Sequence, residues 1–223
     1  MVDVTYDVLA NIDDAFCDAN TSYVNDPVSA VTLTFGKYMG VVTRAFVRFR
    51  SMIPQGAKIS SATLKVTSAA TLNWTSFLPV IRLVDIDNCP DFLSNPFNLP
   101  VSVLGVQFDA KYWVARALYS LDVALLVQEF VNRSGYVPGN YIGLRIDEGN
   151  SVLSERQAGY QKGTTGTSCQ LVVSYVPVHI VTFDSVPIPV QVTVDNVPMG
   201  LTPVTVELDE ASHSAQVPSS QQG

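Results

Sequence analysis

The chain has 223 residues, with 20 acidic against 13 basic side chains and a formal net charge of −7. That balance argues against a broad nucleic-acid footprint, which needs a basic face, and no run approaches the ~18 consecutive apolar residues of a membrane helix. Apolar residues make up 47%, enough for a core, but charged residues only 15%, where about 25% is usual. A surface so poor in charge suits contact with other protein; a Val- and Thr-rich all-β composition lowers the charge count as well.

The three cysteines, Cys17, Cys89 and Cys169, are too far apart for a metal knuckle, and their odd number leaves at least one unpaired. A dense disulfide framework is excluded; one long-range bridge stays open. The first residues carry neither a basic segment nor an apolar run, so no export signal is expected. The Asn-x-Ser/Thr matches at Asn20, Asn73 and Asn132 therefore carry little weight.

Taken in order, Val2, Val4, Tyr6 and Val8 alternate with polar residues and predict an extended strand in residues 1–12, followed by a polar, turn-rich segment at 13–20. Strands are expected at 31–36, 40–49, 58–68 and 78–86. In the second of these, Phe46 and Arg48 point to one face and Ala45, Val47 and Phe49 to the other. Pro54, Gln55 and Gly56 make the turn into the third, where Ile59, Ala62, Leu64 and Val66 set the apolar pattern. Residues 87–112, with prolines at 90, 96 and 100, read as a long irregular excursion. Long loops of this kind are often functional, which makes this one a candidate contact surface, with Phe92 and Phe97 as its aromatic anchors.

An amphipathic helix is expected within residues 119–135. Val123, Leu126, Val127 and Phe130 share a face, Ser120 or Asp122 serves as the N-cap, and Gly135 ends it. Strands follow at 140–146 and 170–175, joined by a Gly-, Ser- and Thr-rich connection over 148–168 that is expected to be mobile. Residues 176–178 mark a boundary. Beyond it, strands are expected at 180–183, 190–194 and 201–208, with a turn at 195–200 and a polar tail from 211 to 223.

Several short motifs stand in a fixed order: residues 12–20; Phe46 to Phe49; Ile53, Pro54, Gly56, Ala57, Ile59, Ala62 and Leu64; residues 121–130; 140–144; 154–156; and 171–175. As a set over about residues 8–176, they resemble the DNRLRE-type modules, jelly-roll-like sandwiches allied to carbohydrate-binding modules. Phe130 stands where that family usually has Trp. Residues 180–208 resemble the start of a PEGA-type β-domain. The resemblance implies an all-β, jelly-roll-like antiparallel β-sandwich with one short helix over residues 1–176, a small β domain at 177–210 and a polar tail at 211–223. Either the small sheet is incomplete, or its open edge is completed by another chain.

The inventory for catalysis is thin. The only histidines, His179 and His213, fall in the linker and tail, and no Ser or Cys has an evident base. Asp147, Glu148 and Glu155 are the nearest carboxylates for glycoside hydrolysis, and solvated loop charge is their blander reading. Calcium wants several oxygen ligands. Asp13, Asp14, Asp18 and Asn20 form one candidate set, and Asp85, Asp87, Asn88 and Asp91 the other; Asx turns explain both as well. Trp74 and Trp113 are candidate platforms for glycan or protein. Arg44, Arg48 and Arg50 share a strand face that suits an acidic neighbour.

These readings converge on a non-enzymatic structural or adhesive subunit without a required cofactor. The expected setting is a phage virion surface, where the partners are other structural proteins or further copies of the chain in an oligomer or lattice. The alternative is a carbohydrate-binding module at a cell surface, with a glycan as ligand. Nucleic acid and membrane are not expected partners.

Overall fold

The computed structural model describes residues 1–10, 12–19, 32–38, 40–74, 76–150, 156–160, 168–186, 188–209 and 211–218. Its elements in chain order are β1 (Val2–Asp7), β2 (Asp14–Asp18), β3 (Thr32–Tyr38), β4 (Val41–Arg50), β5 (Lys58–Thr67), β6 (Leu72–Asn73), β7 (Val80–Val84), β8 (Val101–Gln107), β9 (Tyr112–Trp113), β10 (Leu118–Asp122), α1 (Ala124–Val131), β11 (Tyr141–Asp147), β12 (Arg156–Tyr160), β13 (Gln170–Val176), β14 (Val178–Phe183), β15 (Gln191–Val194), β16 (Val197–Leu201), β17 (Val204–Asp209) and β18 (Ala215–Gln216). The chain divides into two compact units, Met1–Tyr175 and Val176–Gly223.

The first unit is an antiparallel β-sandwich. One sheet has the order β1-β13-β5-β10; the other runs β12-β3-β4-β11-β7-β8, with β2 also paired to β4. Alternation supplies the core: Ala45, Val47 and Phe49 from β4, Ile142, Leu144 and Ile146 from β11, and Ile81 and Leu83 from β7 meet Ala62, Leu64 and Val66 from β5 and Leu171 and Val173 from β13. At the β4–β5 turn, Gly56 has φ +74°, a backbone setting that glycine adopts without cost.

The helix is shorter than its apolar pattern. Leu118–Asp122 pairs with β5, opposite Thr63 through Thr67, so those residues are strand. Alternation there, with Leu121 buried between exposed neighbours, outweighs the helical spacing. The N-cap position falls on Val123, without a side-chain cap hydrogen bond; Asp122, the last residue of the strand, accepts the Ala124 N–H through Oδ1 at 2.9 Å, and Ser120 lies within the strand. The helix ends at Asn132, before Gly135. Leu126, Val127, Phe130 and Val131 are its buried face.

Two further expectations are corrected. Residues 14–18 form β2 rather than a turn, and Ala15 and Cys17 are buried. Part of the supposed irregular excursion is regular: Val101–Gln107 is β8, paired with β7. The stretch before it, residues 85–100, folds back over the outer face of the larger sheet. There Phe92 and Cys89 join Phe46, Val84, Ala15 and Cys17 in a second apolar cluster, with Ile86, Phe97 and Leu99 packed beside it. Gly143 on β11 lets that segment approach, because a Cβ at that position would lie 2.9 Å from Cys89 Cβ and closer still to its Sγ. The Gly/Ser-rich connection contains β12, paired with β3; its remaining expectation lies outside the described residues.

In the second unit β14 pairs with β17, and β16, β15 and β18 form a three-stranded sheet. The tail is thus not uniformly irregular. Ala215 and Gln216 pair with Val194 and Thr193, which places tail residues on an edge expected to be open.

Candidate functional site

The outer face of the larger sheet concentrates charge in the middle of apolar strands. Arg145 sits opposite Phe46 on β4 and Arg82 on β7. Ala45 faces Ile146, which brings Arg44 beside Asp147. Three guanidinium groups therefore converge on one carboxylate. Arg145 Nε lies 2.7 Å and Arg44 Nε 3.1 Å from Asp147 Oδ1, and Arg82 Nε lies 3.4 Å from Oδ2. Glu148 adds a contact of 3.5 Å to Arg44. The Nε atoms of Arg44 and Arg145, Asp147 Oδ1 and Glu148 Oε2 are buried without a directed hydrogen bond. Among the described residues the contacts of these four atoms are coulombic, whereas Arg145 Nη2 donates to Asp147 Oδ2 at 3.0 Å. Together these residues line a recess of about 310 Å³ with Val80 and Gly149.

The same arginines hold the overlying chain. Arg44 donates to the Phe97 carbonyl at 3.3 Å and lies 4.2 Å over the Phe97 ring. Arg145 donates to the Leu99 carbonyl at 3.2 Å. Arg82 donates to the carbonyls of Ser102 and Val103 at 3.3 and 2.7 Å. Gly105, opposite Arg82 in the register, leaves the space this requires, since a Cβ there would meet Arg82 Nη1 at 3.2 Å.

Arg48 is a separate clamp. It is 8% exposed, pairs with Asp13 Oδ1 at 2.6 Å, donates to the Cys89 carbonyl at 3.0 Å and lies 4.2 Å over the Tyr141 ring. The arginine face expected to meet an acidic neighbour is thus divided. Arg48 is consumed internally, Arg44 belongs to the recess, and only Arg50 is exposed.

The other expected contact residues move inward. Trp113 is buried and stacks on Tyr119 with ring centres 4.4 Å apart, and Phe92 is buried against Phe46. Neither is a surface platform, because each fills a core position on a short strand or returning loop. Trp74 is half-buried against the main core, and Phe97 is half-buried under Arg44.

The candidate calcium sets are likewise dispersed. Asp13 is taken by Arg48 and by the Ala10 N–H, Asp14 is buried, and Asp18 is half-buried at the end of β2. Asp85 and Asp87 face Arg133 at 2.7 and 3.8 Å. Among the described residues no three His, Cys, Asp or Glu side chains converge as a metal set. Asn20 and Glu155 lie outside the described residues. All three cysteines are free and buried. Burial pushes the Cys17 and Cys89 thiols up to about 12 despite nearby arginines, and raises Cys169 as well. They stay protonated and inert as nucleophiles.

Sequence reasoning missed Arg82 and Arg145 as members of the charged site. The available signal was a single arginine inside an otherwise apolar run, in residues 80–84 and 142–146. Such a residue must find a partner on a covered sheet face.

The second unit carries a different kind of surface. Its described residues bury Pro177, Val192, Val194 and Thr202 and leave Ile180, Val186, Ile188, Val197, Leu201 and Val217 exposed. His213 joins its parts: Nδ1 lies 2.6 Å from Asp195 Oδ2, and Nε2 lies 3.1 Å from Asp209 Oδ1. The two carboxylates raise the His213 pKa, and His213 and the Ser214 N–H lower that of Asp195.

No protein-family model matches the chain, and no curated protein sequence matches it.

Proposed function

We propose that the chain is a non-catalytic structural subunit of a large assembly, of the kind that covers a phage virion surface, and that its second unit supplies the contact with further copies. The observation that carries this reading is the inverted surface of that unit. Val186 and Ile188 are 89% and 69% exposed, and among the described residues of the unit only Pro177, Val192, Val194 and Thr202 are buried. A β unit so small gains little from its own core. Exposed apolar side chains grouped on one small unit are what an interaction surface presents to its partner.

The edge of the larger sheet supports the same reading. The strand order ends at β8, where Val103 is 98% exposed, and an apolar edge strand is a template for strand addition. The virion setting follows from the low charge content and the motif resemblance to surface modules. Of the platforms for the glycan-binding alternative, Trp113 is buried and Trp74 is half-buried.

Sedimentation velocity over a wide concentration range tests the proposal. Concentration-dependent growth in mass that Ile188→Glu suppresses supports it. A protein that stays monomeric at the highest attainable concentration overturns it.

A further inference from the structure

We propose that the recess formed by Arg44, Arg82, Arg145, Asp147 and Glu148 is a binding site for a single carboxylate group. This inference is independent of self-association, and the site lies in the first unit.

Charge is the first argument. Three guanidinium groups face two carboxylates, which leaves one positive charge at the recess in a chain whose net charge is −7. Arg145 and Asp147 are each only 8% exposed, so water screens this surplus poorly. A monoanion brings the cluster to neutrality. A dianion overshoots and meets the repulsion of Asp147 and Glu148 at short range.

The available donors are the second argument. Arg44 uses Nε and Nη1 internally, and so does Arg82. Among the described residues, the Nη2 atoms of both make no hydrogen bond. Their side chains are 21% and 31% exposed, the most open of the cluster's three arginines. Planar N–H groups of this kind match the geometry of a carboxylate.

The donors are also fixed before a ligand arrives. Arg44 is stacked on Phe97 and bonded to its carbonyl, and Arg82 is anchored on Ser102 and Val103. Binding therefore orders little additional side chain, which reduces its entropic cost. At about 310 Å³ the space takes a carboxylate on a short stem. Two sources share that chemistry: a free small carboxylic acid, or an aspartate or glutamate side chain of a polypeptide.

The test follows amide and arginine Nε–H resonances of the intact protein at constant ionic strength during titration with sodium acetate, N-acetylglutamate methylamide or inorganic phosphate at pH 8. Saturable shifts of Arg44 and Arg82 with acetate and with the blocked glutamate are expected, with phosphate weaker. Tighter binding of the blocked glutamate than of acetate assigns the site to a polypeptide side chain; equal binding assigns it to a free acid. Arg82→Gln should weaken acetate binding about tenfold or more, Arg82→Lys should restore part of it, and Arg50→Gln should leave it unchanged. Linear, non-saturating shifts overturn the proposal, as does phosphate binding more tightly than acetate in the wild-type protein. Binding unaltered in a folded Arg82→Gln variant also overturns it.

Discussion

The two units solve the problem of a β surface in opposite ways. In the first, charged side chains are drawn inward: Arg48, Arg145, Asp13 and Asp147 are all buried, and each is paired. In the second, apolar side chains are left outside and the charged ones make exposed contacts around His213. Specificity resides in different places in the two units. A covered sheet face with internal ion pairs fixes one arrangement of loop on sheet, whereas an uncovered apolar unit leaves its arrangement to be completed by contact.

The sharpest way to break this contrast is to remove one buried charge. Truncating one partner of a buried ion pair strands the other, at about 3–5 kcal/mol. Arg48→Ala should destabilise the first unit by that amount in urea unfolding followed by tryptophan fluorescence, and a change near zero would show that Asp13 is not dependent on it. A smaller loss tests the packing of the returning loop. Gly143→Val drives side-chain atoms into Cys89, and overpacking of this type costs about 1–3 kcal/mol. The same variant should increase the reactivity of Cys89 toward a thiol reagent, because lifting the loop exposes it.

The second unit should respond in the opposite sense. Ile188→Glu alters an exposed position, so the change in stability should stay within about 0.5 kcal/mol while concentration-dependent association is lost. Comparable losses of stability and of association would make Ile188 a core residue and erase the contrast.

The smallest expected effect is that of pH on the tail. His213 has a raised pKa, so its contribution is complete below the ordinary imidazole value of 6.5 and is lost as pH rises through the higher folded value. Asp195 has a lowered pKa, so its contribution is complete above 3.8 and is lost as pH falls through the lower folded value. Pairing of β18 with β15 should therefore be firmest between those two folded values. Amide-exchange protection at Thr193, Val194, Ala215 and Gln216, corrected for intrinsic rate, should decline toward alkaline pH. His213→Ala should flatten that decline, and an unchanged profile in that variant would remove His213 from the latch.

Local pattern determined much of this protein. Alternation in residues 41–50, 58–67, 141–147 and 170–176 fixed both the strands and the residues that face the core, because a period of two has only one way to bury an apolar set. The same alternation placed Phe46 and Arg48 on the opposite face from Ala45, Val47 and Phe49. It carried no information about what covers that opposite face. The folded chain alone sets the return of residues 85–100 over it, the burial of Trp113 and Phe92, and the meeting of arginines from three strands at Asp147. These outcomes depend on contacts between residues far apart in the chain, such as Arg48 with Asp13 and Arg44 with Asp147. The turn-like composition of residues 13–18 was likewise overruled by pairing with β4. Charge and aromaticity could be read from the sequence residue by residue; their burial is a property of the sheet stacking and loop return that bring them together.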